Sequence, residues 1–240
     1  RHATISVIKH RVGKLTTYDI ERCLQDLRKT NPVIGDKIVR GGETCVIPVR
    51  YPATRMVANG YAAVGDSAYL TIPMLGSGIA SGMLSGQLLA ESIGENMSRG
   101  VKGDALFKVG RLWRYQVKVY REFGAEHAAV DVMKRAVLGY PDALLNWMLG
   151  SDILTNDEMC KLAAGKMLRV GLKEALRKLN ITEYSKWGTL IKINNMLLKC
   201  GRVYTLARSI PRNFDPNITR TWEKHMRYYF RPTRKERNAE

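Results

Sequence analysis

Cysteine is scarce in this chain, and its placement excludes more than its number. Cys23, Cys45, Cys160 and Cys200 lie far apart, with no CxxC pair among them. Paired-thiol redox chemistry and a zinc knuckle therefore have no sequence basis, and a reducing cytosol is the natural setting. The four histidines are equally scattered, so no metal constellation forms, and His127 reads as a packed or solvated helix residue. Acidic residues are also few, 22 against 39 Lys and Arg, which leaves a net charge of +17. So basic a chain implies an anionic partner, either nucleic acid or an acidic lipid surface. The opening Arg1-His2-Ala3-Thr4 lacks an initiator Met and an apolar leader, and the expectation is a piece of a longer protein. Ser67 to Ala90 carries no charge and is long enough to span a bilayer, but Pro73 and four glycines interrupt it. A close-packed helix in a water-soluble fold is the favoured reading of that run.

What is present is enough apolar residues, 45% of 240, for one substantial core. Thr4 to His10 reads as a strand and Thr17 to Lys29 as a helix stopped by Asn31-Pro32. Lys37 to Val49 reads as a hairpin turning at Gly41-Gly42. Met56 to Val64 reads as a short strand, with Asn59-Gly60 as a bulge or tight bend inside it. From Ser77 onward the periodicity is helical. Helices are expected over Ser77 to Ile93, Leu106 to Leu138 (long, with a break allowed), and Pro141 to Leu149. A capping box, Thr155-Asn156-Asp157-Glu158, opens a helix expected to run to Asn180. Two basic helical segments follow, Thr182 to Ala207 and Asn217 to Phe230.

The segment with the most chemical content joins the β-rich start to the helical remainder. An apolar run ends in Val64-Gly65-Asp66, passes through Pro73, and reaches Gly76-Ser77-Gly78-Ile79 at a helix start. A carboxylate accepts hydrogen bonds from hydroxyls. A helix N-terminus offers unpaired N–H groups and about half a positive charge. A polyol joined to an electron-poor ring needs both, and the ribityl chain and isoalloxazine of a flavin fit that need. Gly78, Ser81, Gly82, Ser85, Gly86 and Ala90 give the helix a face of small residues. The plainer reading is that this face and the Gly-x-Gly turn serve only packing. A dinucleotide-binding Gly-x-Gly-x-x-Gly is not formed, because Ser81 stands at its third position.

Ala63-Val64-Gly65-Asp66-Ser67-Ala68, Pro73-Met74-Leu75-Gly76-Ser77-Gly78-Ile79 and Ala80-Ser81-Gly82-Met83-Leu84-Ser85-Gly86 together resemble the second flavin motif of the geranylgeranyl reductase family. Those are FAD-dependent oxidoreductases with a p-hydroxybenzoate-hydroxylase-like fold. The likeness extends from about Ala3 to Gly124, taking in Ile47-Pro48-Val49 and the helix with Tyr115, Tyr120 and Gly124. It implies an α+β or α/β fold: residues 1–55 ending an antiparallel-sheet substrate domain, 56–100 closing the FAD-binding domain, and 101–240 a basic helical region. It implies FAD as cofactor. Gly65, Asp66 and Pro73 belong to the motif, Asp66 serving the ribityl or phosphate region. Gly76, Ser77, Gly78 and Ile79 would face the pyrimidine side of the ring. The substrate implied is a polyprenyl lipid whose C=C bonds are reduced, with a nicotinamide or ferredoxin as electron donor.

The family's amino-terminal glycine-rich unit and its flavin-side cysteine have no counterpart here, so no catalytic residue is assigned. The chain is expected to be the carboxyl-terminal part of such an enzyme and inactive alone. A quinone-linked dehydrogenase or a hydroxylase of the same superfamily fits the motif as well. Outside enzymes stands a basic helical protein that binds membrane or RNA.

The basic helices carry three readings. Trp222, Tyr228, Tyr229 and Phe230 interleave with Arg220, Lys224, Arg227 and Arg231. The default is a core-facing stripe with a solvated basic face. The second is peripheral attachment to an anionic, cytoplasm-facing membrane. Nucleic-acid binding is third, because no recognised motif supports it.

Overall fold

The computed structural model describes residues 17–35, 37, 47–151, 153–168, 177–178 and 186–231. The strand expected at Thr4 to His10 and residues 38–46 of the hairpin expected at Lys37 to Val49 lie outside them. The chain divides into two compact units, Arg1–Val46 with Arg231–Glu240, and Ile47–Phe230. In the first unit α1 spans Thr17–Thr30, and its last turn is closed by the Thr30 hydroxyl donating to the Asp26 and Leu27 carbonyls.

The second unit is mostly helical. Its sheet, among the described residues, is one antiparallel pair, β1 (Val57–Ala58) and β2 (Tyr61–Ala62), in the register Val57 to Ala62 and Ala58 to Tyr61. The expected single strand over Met56 to Val64 is therefore a two-residue hairpin turning at Asn59-Gly60. Tertiary contacts fix that turn: Gly60 N donates to the Phe107 carbonyl at 2.8 Å and Val109 N to the Asn59 side chain at 2.8 Å.

Helices follow as α2 (Ile79–Ser98), α3 (Val109–Val119), a π-turn (Tyr120–Gly124) and α4 (Ala125–Val137). Beyond them come α5 (Asp142–Gly150), α6 (Asn156–Ala163), α7 (Trp187–Arg208) and α8 (Pro216–Tyr229). The helix expected from Thr155 to Asn180 stops at Ala163, and 164–168 leave the helical path. Its capping box is present: Thr155 Oγ1 accepts from Glu158 N at 3.2 Å, and Glu158 accepts from Thr155 N at 3.0 Å. Replacing Thr155 by alanine should cost about 1 kcal/mol, because one orphan N–H loses its acceptor. Urea unfolding reads that loss, and a midpoint equal to wild type would contradict the cap's role.

The core is aromatic and runs through α3 and the π-turn. Trp113, Tyr115 and Tyr120 are fully buried. Tyr120 meets Trp222 edge to face at 5.0 Å, and Tyr51 stacks on Phe230 at 3.8 Å. The most extensive helix pairing is α4 on α7, while α3 carries α2. Trp222 and Phe230 are thus core residues, and Arg227 pairs with Glu223 at 3.1 Å, leaving Tyr228 as the exposed aromatic of α8. For Trp222 and Phe230 the core-facing account holds.

Candidate functional site

Among the described residues the Gly65-Asp66 segment ends no strand of an open sheet. It forms a single 3-10 turn, Gly65–Ala68, directly after the hairpin. Two helices, α3 and α2, fix its position. Tyr115 of α3 donates its hydroxyl to the Ala63 carbonyl at 2.7 Å, and burial pushes that phenol up to about 12, so it remains a donor. Gln116 spans the approach to the hairpin, accepting from Met56 N at 2.8 Å and donating to the Thr54 carbonyl at 2.9 Å. Ser85 of α2 accepts from Gly65 N at 3.1 Å.

Gly65 takes a left-handed φ of +55°, which favours glycine, and the turn lies against α2, where a Cβ would be in ordinary contact with the Gly82 Cα at 3.6 Å. Among the described residues Tyr69 is the non-glycine residue with positive φ, at 55°. Its N–H donates to the Asp66 carbonyl at 3.0 Å, and its ring lies 4.7 Å from the Arg50 guanidinium. A strained residue three positions after the carboxylate marks a segment held in place by its surroundings.

Asp66 is exposed, and its carboxylate accepts from the buried Thr71 hydroxyl at 2.6 Å. Both side chains converge on Gly78. A Cβ at Gly78 would come within 2.9 Å of Asp66 Oδ1 and 3.2 Å of Thr71 Oγ1, so this N-cap position of α2 has no room for a side chain unless the neighbours move. Ahead of it Ile72 N donates to the Ser77 carbonyl at 2.8 Å and Gly76 N to the Ile72 carbonyl at 2.9 Å, over the buried Pro73. The Gly76 amide is therefore committed to this turn.

The first N–H groups of α2 have no partner within the helix. Ser77 and Ile79 are exposed, Ile79 by 82%, so among the described residues no core side chain covers the mouth before α2. Asp66, Gly78, Ser77 and Ile79 come together at that mouth. Pro73 lies beneath it and Gly65 behind it. Expectation missed Thr71, Gln116 and the service Ser85 gives to Gly65. Only Ser85 left a trace in the sequence, in the small-residue face of α2.

This arrangement offers a hydroxyl acceptor, the positive end of a 20-residue helix, and an exposed aliphatic side chain beside them. The described residues contain no cluster of three or more His, Cys, Asp or Glu able to hold a metal ion. No described helix is long and apolar enough to cross a membrane.

Comparison with known proteins places these observations in a wider context. No family model matches the chain. A curated protein, the digeranylgeranylglycerophospholipid reductase of Sulfolobus acidocaldarius, is 23% identical over 189 residues. The match takes in 79% of this chain and 40% of that protein, so the chain spans well under half of its relative's length. The chain is thus similar, at a distance, to a reductase acting on geranylgeranyl lipids.

Proposed function

We propose that this chain is the carboxyl-terminal part of an FAD-dependent oxidoreductase that reduces C=C bonds of a polyprenyl lipid. The observation that carries the reading is the convergence of Asp66, Thr71 and Gly78 at the open N-terminus of α2. Asp66 would accept from hydroxyls of the ribityl chain, with Thr71 fixing the orientation of its carboxylate. The N–H groups of Ser77, Gly78 and Ile79 would stabilise negative charge on the pyrimidine side of the ring. Gly78 keeps that approach free of a side chain, and Ile79 presents an apolar surface. When bound, the flavin supplies the hydride chemistry, and the protein supplies position and electrostatics. The distant similarity to a geranylgeranyl-lipid reductase supports the substrate class. By the same similarity the lipid carries two chains. A nicotinamide or ferredoxin would deliver the electrons.

The test uses the longest natural protein that contains this chain. It should purify with flavin absorbance, and Asp66→Ala should weaken FAD binding about 10- to 100-fold, the equivalent of losing a charge-assisted hydrogen bond. A colourless protein that takes up no FAD, or an Asp66→Ala affinity equal to wild type, would overturn the reading. Anaerobic reduction followed by a prenyl lipid, a quinone or an aromatic acid then distinguishes the acceptors.

A further inference from the structure

A cleft of about 490 Å³ opens between the start of α5 and the start of α7. That volume lies within the range of about 300–1,000 Å³ typical of small-ligand sites. Two sets of side chains line it, and each narrows the class of occupant.

The first set consists of hydrogen-bond donors: Tyr140, Trp147, Lys186, Thr189 and Lys192. No carboxylate is among the described lining residues, and Asp142, beside two of them in the chain, is outside the lining. An ammonium and an indole N–H donate and cannot accept. Burial, with a smaller push from Cys200, holds the Tyr140 phenol above its ordinary range, so that hydroxyl stays protonated. No hydrogen bond or ion pair among the described residues engages any of these five side chains. Donors gathered without an acid beside them suit an anion. Lys186 stands just before α7 and Thr189 in its first turn, where the positive end of a 22-residue helix adds to the field. The second set is flat and apolar. Trp147 and Tyr140 supply ring faces that stack on no other described ring, and Leu144 and Ile193 complete the wall. A bare phosphate would leave these rings unused and most of the space empty. An anion that carries a planar ring uses both sets.

We propose that this cleft binds a nucleotide, its phosphate held by Lys186, Lys192 and Thr189 and its base lying against the Trp147 and Tyr140 rings. The cleft shares no lining residue with the mouth formed by Asp66, Ser77, Gly78 and Ile79. The assignment therefore stands apart from the flavin reading and adds a second, separate ligand site to the helical region.

The experiment uses the longest natural protein that contains this chain, irradiated with an azidoadenosine monophosphate photoprobe, and mass spectrometry identifies the labelled peptides. Saturable labelling within residues 139–147 or 186–193, displaced by AMP and weakened by added salt, is the expected result. Adenosine, which lacks the phosphate, and inorganic phosphate, which lacks the base, should each displace the probe at least about tenfold less well. Lys192 is exposed, so Lys192→Glu should leave the unfolding midpoint unchanged while weakening labelling about tenfold or more, and Lys192→Arg should retain it. Trp147→Leu should weaken labelling about tenfold through lost stacking. Labelling that never saturates at those peptides, a Lys192→Glu protein that labels like wild type, or adenosine competing as well as AMP would each overturn the proposal. Displacement by phosphatidylglycerol vesicles at a lower phosphate concentration than AMP would assign the cleft to a lipid headgroup and overturn the nucleotide. FAD uptake is read separately, so failure of either reading leaves the other standing.

Discussion

Trp113→Ala should destabilise the protein by about 3–5 kcal/mol, the range for removing a large aromatic side chain from a close-packed core. Trp113 is fully buried, its ring tilts against Phe214 at 5.4 Å, and its indole N–H donates to the Pro211 carbonyl at 2.7 Å. Truncation opens a cavity and also leaves the Pro211 carbonyl without its donor, so the two costs act together. Domains of this size are stable by only about 5–15 kcal/mol, so the variant will sit near the edge of folding. Urea titration followed by far-UV circular dichroism gives the difference. A loss below about 1 kcal/mol would mean that α3 does not anchor the core as described.

The second large effect is an acid limb set by His127. Burial against Phe123 depresses its pKa to about 4 from 6.5, and the Lys166 charge adds to the depression, while a hydrogen bond with the Leu70 backbone opposes it. Gly165 closes over the ring: a Cβ there would stand 2.9 Å from His127 Nε2. The unfolded chain binds a proton near pH 6.5, whereas the folded protein resists it until about pH 4. Between those values the unfolded state holds more protons, so stability falls as the pH is lowered through that window and is complete above it. The difference amounts to about 3 kcal/mol at most. His127→Gln should remove this limb, and the gap between wild-type and variant unfolding free energies should therefore change sharply between pH 6.5 and 4 and be flat above pH 7. Parallel profiles across that range would refute the assignment. The effect bears on the candidate site, because Leu70 and Thr71 are the residues through which the His127 side of the core reaches Asp66.

Legibility in the sequence followed the locality of the forces. The Thr155 box is specified by four consecutive residues and appears as expected. The central segment was also legible, since a carboxylate, a proline turn and a Gly-Ser-Gly helix start can be read in order. The hairpin at Val57–Ala62 was not, because its arms are two residues long and its turn is clamped from Phe107 and Val109, some fifty positions away. Trp222 and Phe230 could be read as interface aromatics, since spacing alone does not say what faces them. Tyr120, edge to face on Trp222, and Tyr51, stacked on Phe230, decide the matter. The helix expected to run to Asn180 ends at Ala163, and although Leu162 and Leu168 are both buried the backbone leaves the helix between them. Thr71 carried no signal, since a threonine gains its role only when the turn folds back on Asp66.

The π-turn at Tyr120–Gly124 sets the angular phase of the long helix. Its closure is of the i to i−5 kind, Ala125 N donating to the Tyr120 carbonyl, and a Cβ at Gly124 would press to 3.2 Å of the Val119 oxygen. One residue more than an α-helical turn advances everything downstream by about 100° of rotation. Upstream of it, Tyr115, Gln116 and Tyr120 point their polar ends at residues 52–63. Downstream, the same rod turns His127 toward Leu70 and Glu126 toward the Met167 amide. A single cylinder therefore braces two different walls, and the extra residue is the gear tooth that lets it serve both.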